Sequence, residues 1–221
     1  MRRGDMKILN LYAGIGGNRK LWGDEHDITA VEYNPEIAQI YKDNFPNDTV
    51  LVEDAHQYLL DHYKEYDFIW SSPPCPTHSK MAKATRHETR KYPDMSLWQE
   101  IIFLQHHYNG KYIVENVVPY YDSFVPITQK IGRHYIWANF VIPTIEIENI
   151  KGFITNDSPL AIKQMKDDLG IFFEKNVYIG NNHSPGQILR NCVHPEIGQH
   201  ILNIAQGIIT KQNTNQMELE L

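Results

Sequence analysis

Cysteine is scarce: the chain holds two in 221 residues, Cys75 and Cys192. One disulfide is the most they could make, which excludes a disulfide-stapled scaffold. Two thiols are also too few for a cysteine-built zinc site. The eleven histidines are scattered and form no His-Glu-x-x-His pair, so no metal is expected. No apolar run approaches the length that spans a bilayer, and no membrane partner is expected. Positive charge is outnumbered, 21 Lys and Arg against 27 Asp and Glu, for a net charge of −6. That excludes a polycation coating nucleic acid over its whole surface; contact with phosphates needs a local basic patch. The opening residues, Met1-Arg2-Arg3-Gly4-Asp5, lack the apolar core of a secretory leader, so a cytoplasmic location is expected.

What is present suits a folded domain. Apolar residues make up 42% and charged residues 22%, the balance of a globular protein. The length fits one compact domain with a small appended module. In the first half, apolar runs alternate with amphipathic segments. Met6–Tyr12 reads as a buried strand ending in a glycine turn, Ile28–Tyr33 as a second strand and Thr49–Val52 as a short third. Tyr66–Trp70 is a fourth and Lys111–Val114 a fifth. Pro35–Phe45, Ala55–Tyr63 and Leu97–Tyr108 read as helices, the first capped by Asn34 and the last by Ser96. Strand alternating with helix predicts an α/β fold with a mostly parallel sheet covered on both faces. Functional groups then gather along the edge where the strands end. The second half is less regular. His134–Ile142 reads as a strand, Pro143–Pro185 as a small irregular module, Pro195–Ile209 as a helix, and the polar tail after Lys211 as frayed.

Five places along that edge carry candidate chemistry. Tyr12-Ala13-Gly14-Ile15-Gly16-Gly17 follows the first strand, and its glycines let backbone approach a ligand. It is not the dinucleotide fingerprint, because Arg19 stands where the third glycine belongs. Glu32 ends the second strand, where a carboxylate can hold the hydroxyls of a ribose. Asp54 ends the third, and is suited either to an adenine contact or to capping a helix. Ser71-Ser72-Pro73-Pro74-Cys75-Pro76 follows the fourth, with prolines stiffening the loop that carries Cys75. A lone cysteine is usually a small buried hydrophobe. Here Lys80, Lys83, Arg86, Arg90 and Lys91 follow closely, opposed only by Glu88. That run can favour a thiolate and contact phosphates. His78 reads as an exposed loop histidine in preference to a partner of Cys75. Glu115-Asn116-Val117 ends the fifth strand, and its acid could bind a ring nitrogen that gains a proton.

In this order the motifs resemble those of the DNA cytosine-5 methyltransferases, over about three quarters of the chain. Asn10-Leu11-Tyr12-Ala13-Gly14-Ile15-Gly16-Gly17 resembles that family's first motif, normally Asp-Leu-Phe-x-Gly-x-Gly-Gly. Pro73-Pro74-Cys75 is similar to its nucleophile motif, and Glu115-Asn116-Val117 matches its Glu-Asn-Val triplet. Arg133-His134-Tyr135 resembles its Arg-x-Tyr, and Asn191-Cys192-Val193 its final Gly-Asn-x-Val, with Arg190 in place of the glycine. Asn10 replaces the usual acid and Pro76 the usual glutamine. Val117 and Gln129 stand closer than in the family, as though a helix and a strand were missing.

The resemblance implies a Rossmann-like class I methyltransferase fold with S-adenosylmethionine as cofactor. Residues 1–142 would form the catalytic domain and 143–185 a small target-recognition region. Residues 186–210 would return to the catalytic domain, and 211–221 would be a tail. Cys75 would attack C6 of a flipped-out cytosine in double-stranded DNA, Glu115 would hold N3, and Arg133 would bind the base. Tyr12, Gly14, Gly16, Gly17, Glu32, Tyr33, Asp54, Pro74 and Asn191 would surround the cofactor, with Asn191 bracing the glycine turn. Ser79, Lys80, Lys83, Arg86, Arg90 and Lys91 would hold the DNA. A transfer-RNA cytosine-5 methyltransferase would share nearly all these motifs, and a non-catalytic cofactor- and DNA-binding module is the rival of another class.

Overall fold

The computed structural model describes residues 5–79, 92–145, 156–179 and 184–208. Seven strands form one sheet: β1 (Lys7–Leu11), β2 (Asp27–Val31), β3 (Thr49–Leu51), β4 (Phe68–Ser71), β5 (Lys111–Val117), β6 (Gln129–Ile131) and β7 (His134–Ala138). Their order is β3-β2-β1-β4-β5-β7-β6. The pairs from β3 to β5 are parallel, and β7 runs antiparallel to both neighbours. All four residues of β4 are buried, as are the last four of β1, which fits central strands covered on both sides.

Two helical layers cover the sheet. On one face Leu9, Leu11, Ile69 and Val114 pack with α2 (Ala55–His62) and α3 (Ser96–His107) through Leu59, Leu97, Ile101 and Leu104. The alternating side chains, Ile8, Phe68, Trp70 and Ile113, face Trp22 and the Ile197 and Ile201 pair of α6 (Pro195–Ala205). On that side α1 (Pro35–Asn44) lays Tyr41 and the following Phe45 against Ala30. Asn34 caps α1 as read from the sequence, its side chain accepting the N–H groups of Glu36 and Ile37. No helix among the described residues is long and apolar enough to cross a membrane.

Four details differ from the sequence reading. Ser96 is not the cap of α3 but its first residue, and Asp94 Oδ1 takes its N–H at 3.0 Å. The strand expected over His134–Ile142 stops at Ala138. The interval between Val117 and Gln129 contains neither helix nor strand, as expected, and a three-residue β6 that the sequence reading did not separate begins at Gln129. Finally, the Pro143–Pro185 stretch is not wholly irregular. It contains α4 (Pro159–Leu169), capped by Ser158 and closed by Gly170 at φ 63°. This helix buries Met165 and Leu169 against Ile15, Ile37, Ile40 and the short α5 (Gln187–Arg190).

One close approach decides how α6 docks. A Cβ placed on Gly198 would lie 2.0 Å from the Asn18 backbone oxygen. Alanine gains about 1 kcal/mol of helix propensity over glycine, but backbone cannot yield as a side chain can. Gly198→Ala is therefore expected to destabilise the fold by about 1–3 kcal/mol net, read as a lower urea midpoint. A raised midpoint would show that α6 stands further from the glycine turn.

Candidate active site

The relative lengths of β4 and β5 create the site. Ser71 ends β4 opposite Val114, while β5 runs on for Glu115, Asn116 and Val117, paired there with β7. The Ser72-Pro73-Pro74-Cys75 loop leaves β4 beside this extension. Asn116 Nδ2 donates to the Pro73 carbonyl at 2.9 Å, and Trp70 Nε1 donates to Ser72 Oγ at 2.9 Å. Beyond the cysteine, the N–H groups of His78 and Ser79 both donate to the Cys75 carbonyl, at 3.0 and 3.1 Å. Cys75 is thus held on a turn tied at both ends, and prolines remove much of its backbone freedom.

Three predicted groups converge electrostatically. Burial pushes the Cys75 thiol above its ordinary pKa, the Glu115 carboxylate pushes it further, and the Arg133 guanidinium pulls it back. Arg133 occupies the two-residue turn between β6 and β7 after Gly132, whose φ is 55°. Its Nη2 donates to the Arg190 carbonyl. The Arg190 side chain in turn reaches Ser184 Oγ at 2.8 Å, the Asn156 carbonyl at 3.1 Å and Asp157. Lys80, Lys83, Arg86, Arg90 and Lys91 lie outside the described residues, whereas Ser79 bridges to Pro119. Among the described residues, the cation acting on Cys75 is Arg133.

Two histidines depart from the sequence reading. His78 is neither exposed nor paired with Cys75: it is buried, with Nδ1 2.5 Å from the Tyr121 hydroxyl. His134, passed over as a spacer, places Nε2 3.9 Å from Glu115 Oε2. Burial pushes its pKa down, against the pull of Glu115, which favours a neutral ring beside the acid. The signal that could have found it is register: Glu115 pairs with Ile136, so His134 lies two residues along on the same face.

The glycine turn shows three different uses of glycine. Gly14, at φ 56°, faces open space, and its N–H donates to Glu32 Oε2 at 3.0 Å. Glu32 Oε1 accepts from the Asn34 N–H at 2.9 Å. A Cβ on Gly16 would meet the Phe45 ring at 2.3 Å, so this position is packed from below. A Cβ on Gly17 would lie 2.6 Å from Cys192 Cβ and from the Val193 carbonyl. These two residues touch the turn, while the Asn191 side chain accepts from Gln187 Nε2 at 2.7 Å. Asp54 caps α2 by accepting the Gln57 N–H at 3.0 Å. Tyr33 is 77% exposed. Where the family motif has an acid, Asn10 forms a buried amide pair with Asn18, at 2.8 and 3.4 Å.

The profile described as C-5 cytosine-specific DNA methylase matches residues 6–120. The tRNA (cytosine(38)-C(5))-methyltransferase of Spodoptera frugiperda is 35% identical over 83 residues, covering 35% of this chain and 25% of that protein. The Rattus norvegicus protein of the same name is 24% identical over 168 residues, covering 73% of this chain and 34% of that protein. The match therefore spans a quarter to a third of the length of these relatives. A solved structure of a Spodoptera frugiperda DNMT2 mutant shares the fold, with a TM-score of 0.51 at 18% identity over 90% of this chain and 99% of that chain.

Proposed function

The chain belongs to the C-5 cytosine-specific DNA methylase family, and from that premise we propose that it methylates C5 of a cytosine extruded from a polynucleotide, in the first reading DNA. The observation that carries this is that the Asn116–Pro73 hydrogen bond ties the Cys75 loop to the β5 extension that carries Glu115, where Glu115 and Arg133 both act on the thiol. Each has a defined task. The Cys75 sulfur bonds to C6 of the ring, and the displaced electron pair makes C5 nucleophilic. Glu115 holds a proton at N3, so negative charge does not accumulate on the ring. Arg133 binds the base and favours the thiolate by its charge. After C5 is alkylated, water removes the C5 proton, the C6–S bond breaks, and the thiolate is restored.

The edge formed by β1 to β3 fits S-adenosylmethionine, which when bound supplies an electrophilic methyl group. The space over Gly14 is unfilled, Glu32 presents carboxylate oxygens suited to a ribose diol, and Tyr33 offers an exposed ring. Tyr12 and Asp54 complete the cofactor's surroundings, with Pro74 at the boundary to the base. Gly16 and Gly17 act on the cofactor by shaping the turn, with Cys192 and Val193, and not the Asn191 side chain, against it. In this reading Ser79 and the basic residues from Lys80 to Lys91 contact the polynucleotide.

A second reading, a tRNA substrate, is favoured by the names of the curated relatives. One experiment separates them. A DNA duplex and a tRNA anticodon hairpin, each carrying 5-fluorocytosine, are incubated with protein and cofactor. Fluorine at C5 blocks the elimination, so the covalent adduct persists on a denaturing gel. An adduct with DNA alone supports the first reading and one with the hairpin alone the second, and both must vanish in Cys75→Ala. No adduct with either would leave a binding module and overturn the proposal.

A further inference from the structure

A buried acid that the mechanism does not use lies beneath the glycine turn. Glu100, on α3, is 0% exposed. It accepts hydrogen bonds from the Tyr12 hydroxyl and, at 2.7 Å, from Ser71 Oγ. His56 Nδ1 stands 2.8 Å from Oε1, the oxygen that also accepts from Tyr12, while Ser71 holds Oε2. The three partners come from the turn after β1, the end of β4 and the first turn of α2. Among the described residues the only candidate counter-charge in contact with it is His56, whose side chain is 23% exposed.

Tyr12 is unusual in two respects. It stands where the family's motif normally carries phenylalanine, which has no hydroxyl to donate. It is also the only non-glycine residue with positive φ, 54°, among the described residues. Such a backbone persists when its surroundings over-determine it. Here the hydroxyl bond to a fixed, buried carboxylate supplies the constraint, and the ring, two residues before Gly14, packs against the core between the sheet and α2 and α3.

We propose that Glu100 is a positioning residue: through the Tyr12 hydroxyl it fixes the aromatic wall of the cofactor site, and through His56 it makes cofactor affinity depend on pH. The inference rests on the reading of Tyr12 as part of the cofactor site. The charged groups acting on His56 are Glu100 from α3, Asp54 at the cap of α2 and Asp94 before α3. The Glu100 hydrogen bond is the largest influence; it raises the pKa of His56, opposed by burial. The folded value lies above the unfolded one. The stabilising contribution is therefore complete below about pH 6.5 and is lost as pH rises through the folded value. Loss of that proton leaves a carboxylate in a dry site without a counter-charge, which weakens the network that holds Tyr12.

The test is calorimetric titration of the full chain with S-adenosylhomocysteine from pH 6 to pH 9. Imidazole NMR follows the titration of His56 with and without this probe, and near-ultraviolet dichroism confirms folding of each variant. The wild type should lose affinity by on the order of fivefold across the His56 titration, a coupling at the small end of linked sites. The probe should shift the His56 midpoint upward. Tyr12→Phe and Glu100→Gln should each bind about tenfold more weakly. Glu100→Gln and His56→Gln should give flat pH profiles, and the His56 midpoint should fall in Glu100→Gln. Wild-type affinity in Tyr12→Phe, or an unchanged pH profile in Glu100→Gln, would overturn the inference while leaving the cofactor reading intact. Absence of binding by the wild type at every pH would instead remove the cofactor reading and the inference with it.

Discussion

Glu115→Gln should make Cys75 more reactive toward iodoacetamide at pH 8, and at the same time cost methyl transfer about 10²–10⁴-fold. The two effects have one cause. Burial and the Glu115 charge both hold the Cys75 thiol above its ordinary pKa. Removing the charge removes the second influence, so the thiolate fraction grows and alkylation quickens by a few-fold. Catalysis is lost because the amide cannot keep a proton at the ring nitrogen. Arg133→Ala should do the opposite to alkylation, because the guanidinium is the group that lowers the Cys75 pKa. In the wild type, alkylation should keep climbing with pH beyond the ordinary thiol range, because burial and Glu115 hold the Cys75 pKa up. Peptide mass spectrometry keeps the signal specific, and Cys192, half-buried with its thiol pushed up to about 12, should be labelled far more slowly. Equal labelling of Cys75 in the wild type and in Glu115→Gln would separate the two groups and break the proposed site. Cys75→Ala should lower turnover by about 10⁴-fold or more.

Asp48→Ala should cost about 3–5 kcal/mol of stability, the price of stranding a buried charge. Arg19 and Asp48 side chains are 3% and 2% exposed. The guanidinium donates to both carboxylate oxygens, at 2.8 and 3.0 Å, and the Tyr41 hydroxyl adds a third bond at 2.8 Å. Without Asp48, the partners left to the Arg19 guanidinium among the described residues are the exposed Asp24 at 3.3 Å and the Phe45 ring. For a chain of this size the melting point should fall by roughly 10 °C. Replacing both partners together, Arg19→Met with Asp48→Leu, should recover much of the loss, because neither charge is then left alone. A loss below about 1 kcal/mol for Asp48→Ala would mean that water reaches the pair.

The parallel half of the sheet was legible because its signals are local. Short apolar runs with buried neighbours on both sides, and Asn34-Pro35 at a helix start, need no distant partner to be read. The three-residue β6 carries too little pattern to stand out, and it exists because β7 pairs with it. Within the site, Cys75, Glu115 and Arg133 were visible as motif residues. His134, Glu100 and the tie from Asn116 to Pro73 were not, since each depends on contacts between residues 19 to 88 positions apart. The glycines show the same boundary. Their spacing signals close backbone approach, but only the fold shows that Gly16 meets an aromatic ring and Gly17 the chain near Cys192.

Position 190 performs two duties with different atoms. Its main-chain oxygen anchors Arg133, while its guanidinium reaches Ser184, Asn156 and Asp157. An oxygen of the peptide bond is common to all twenty residue types. A graft that swaps the outer segment can therefore discard the guanidinium and still leave Arg133 its anchor.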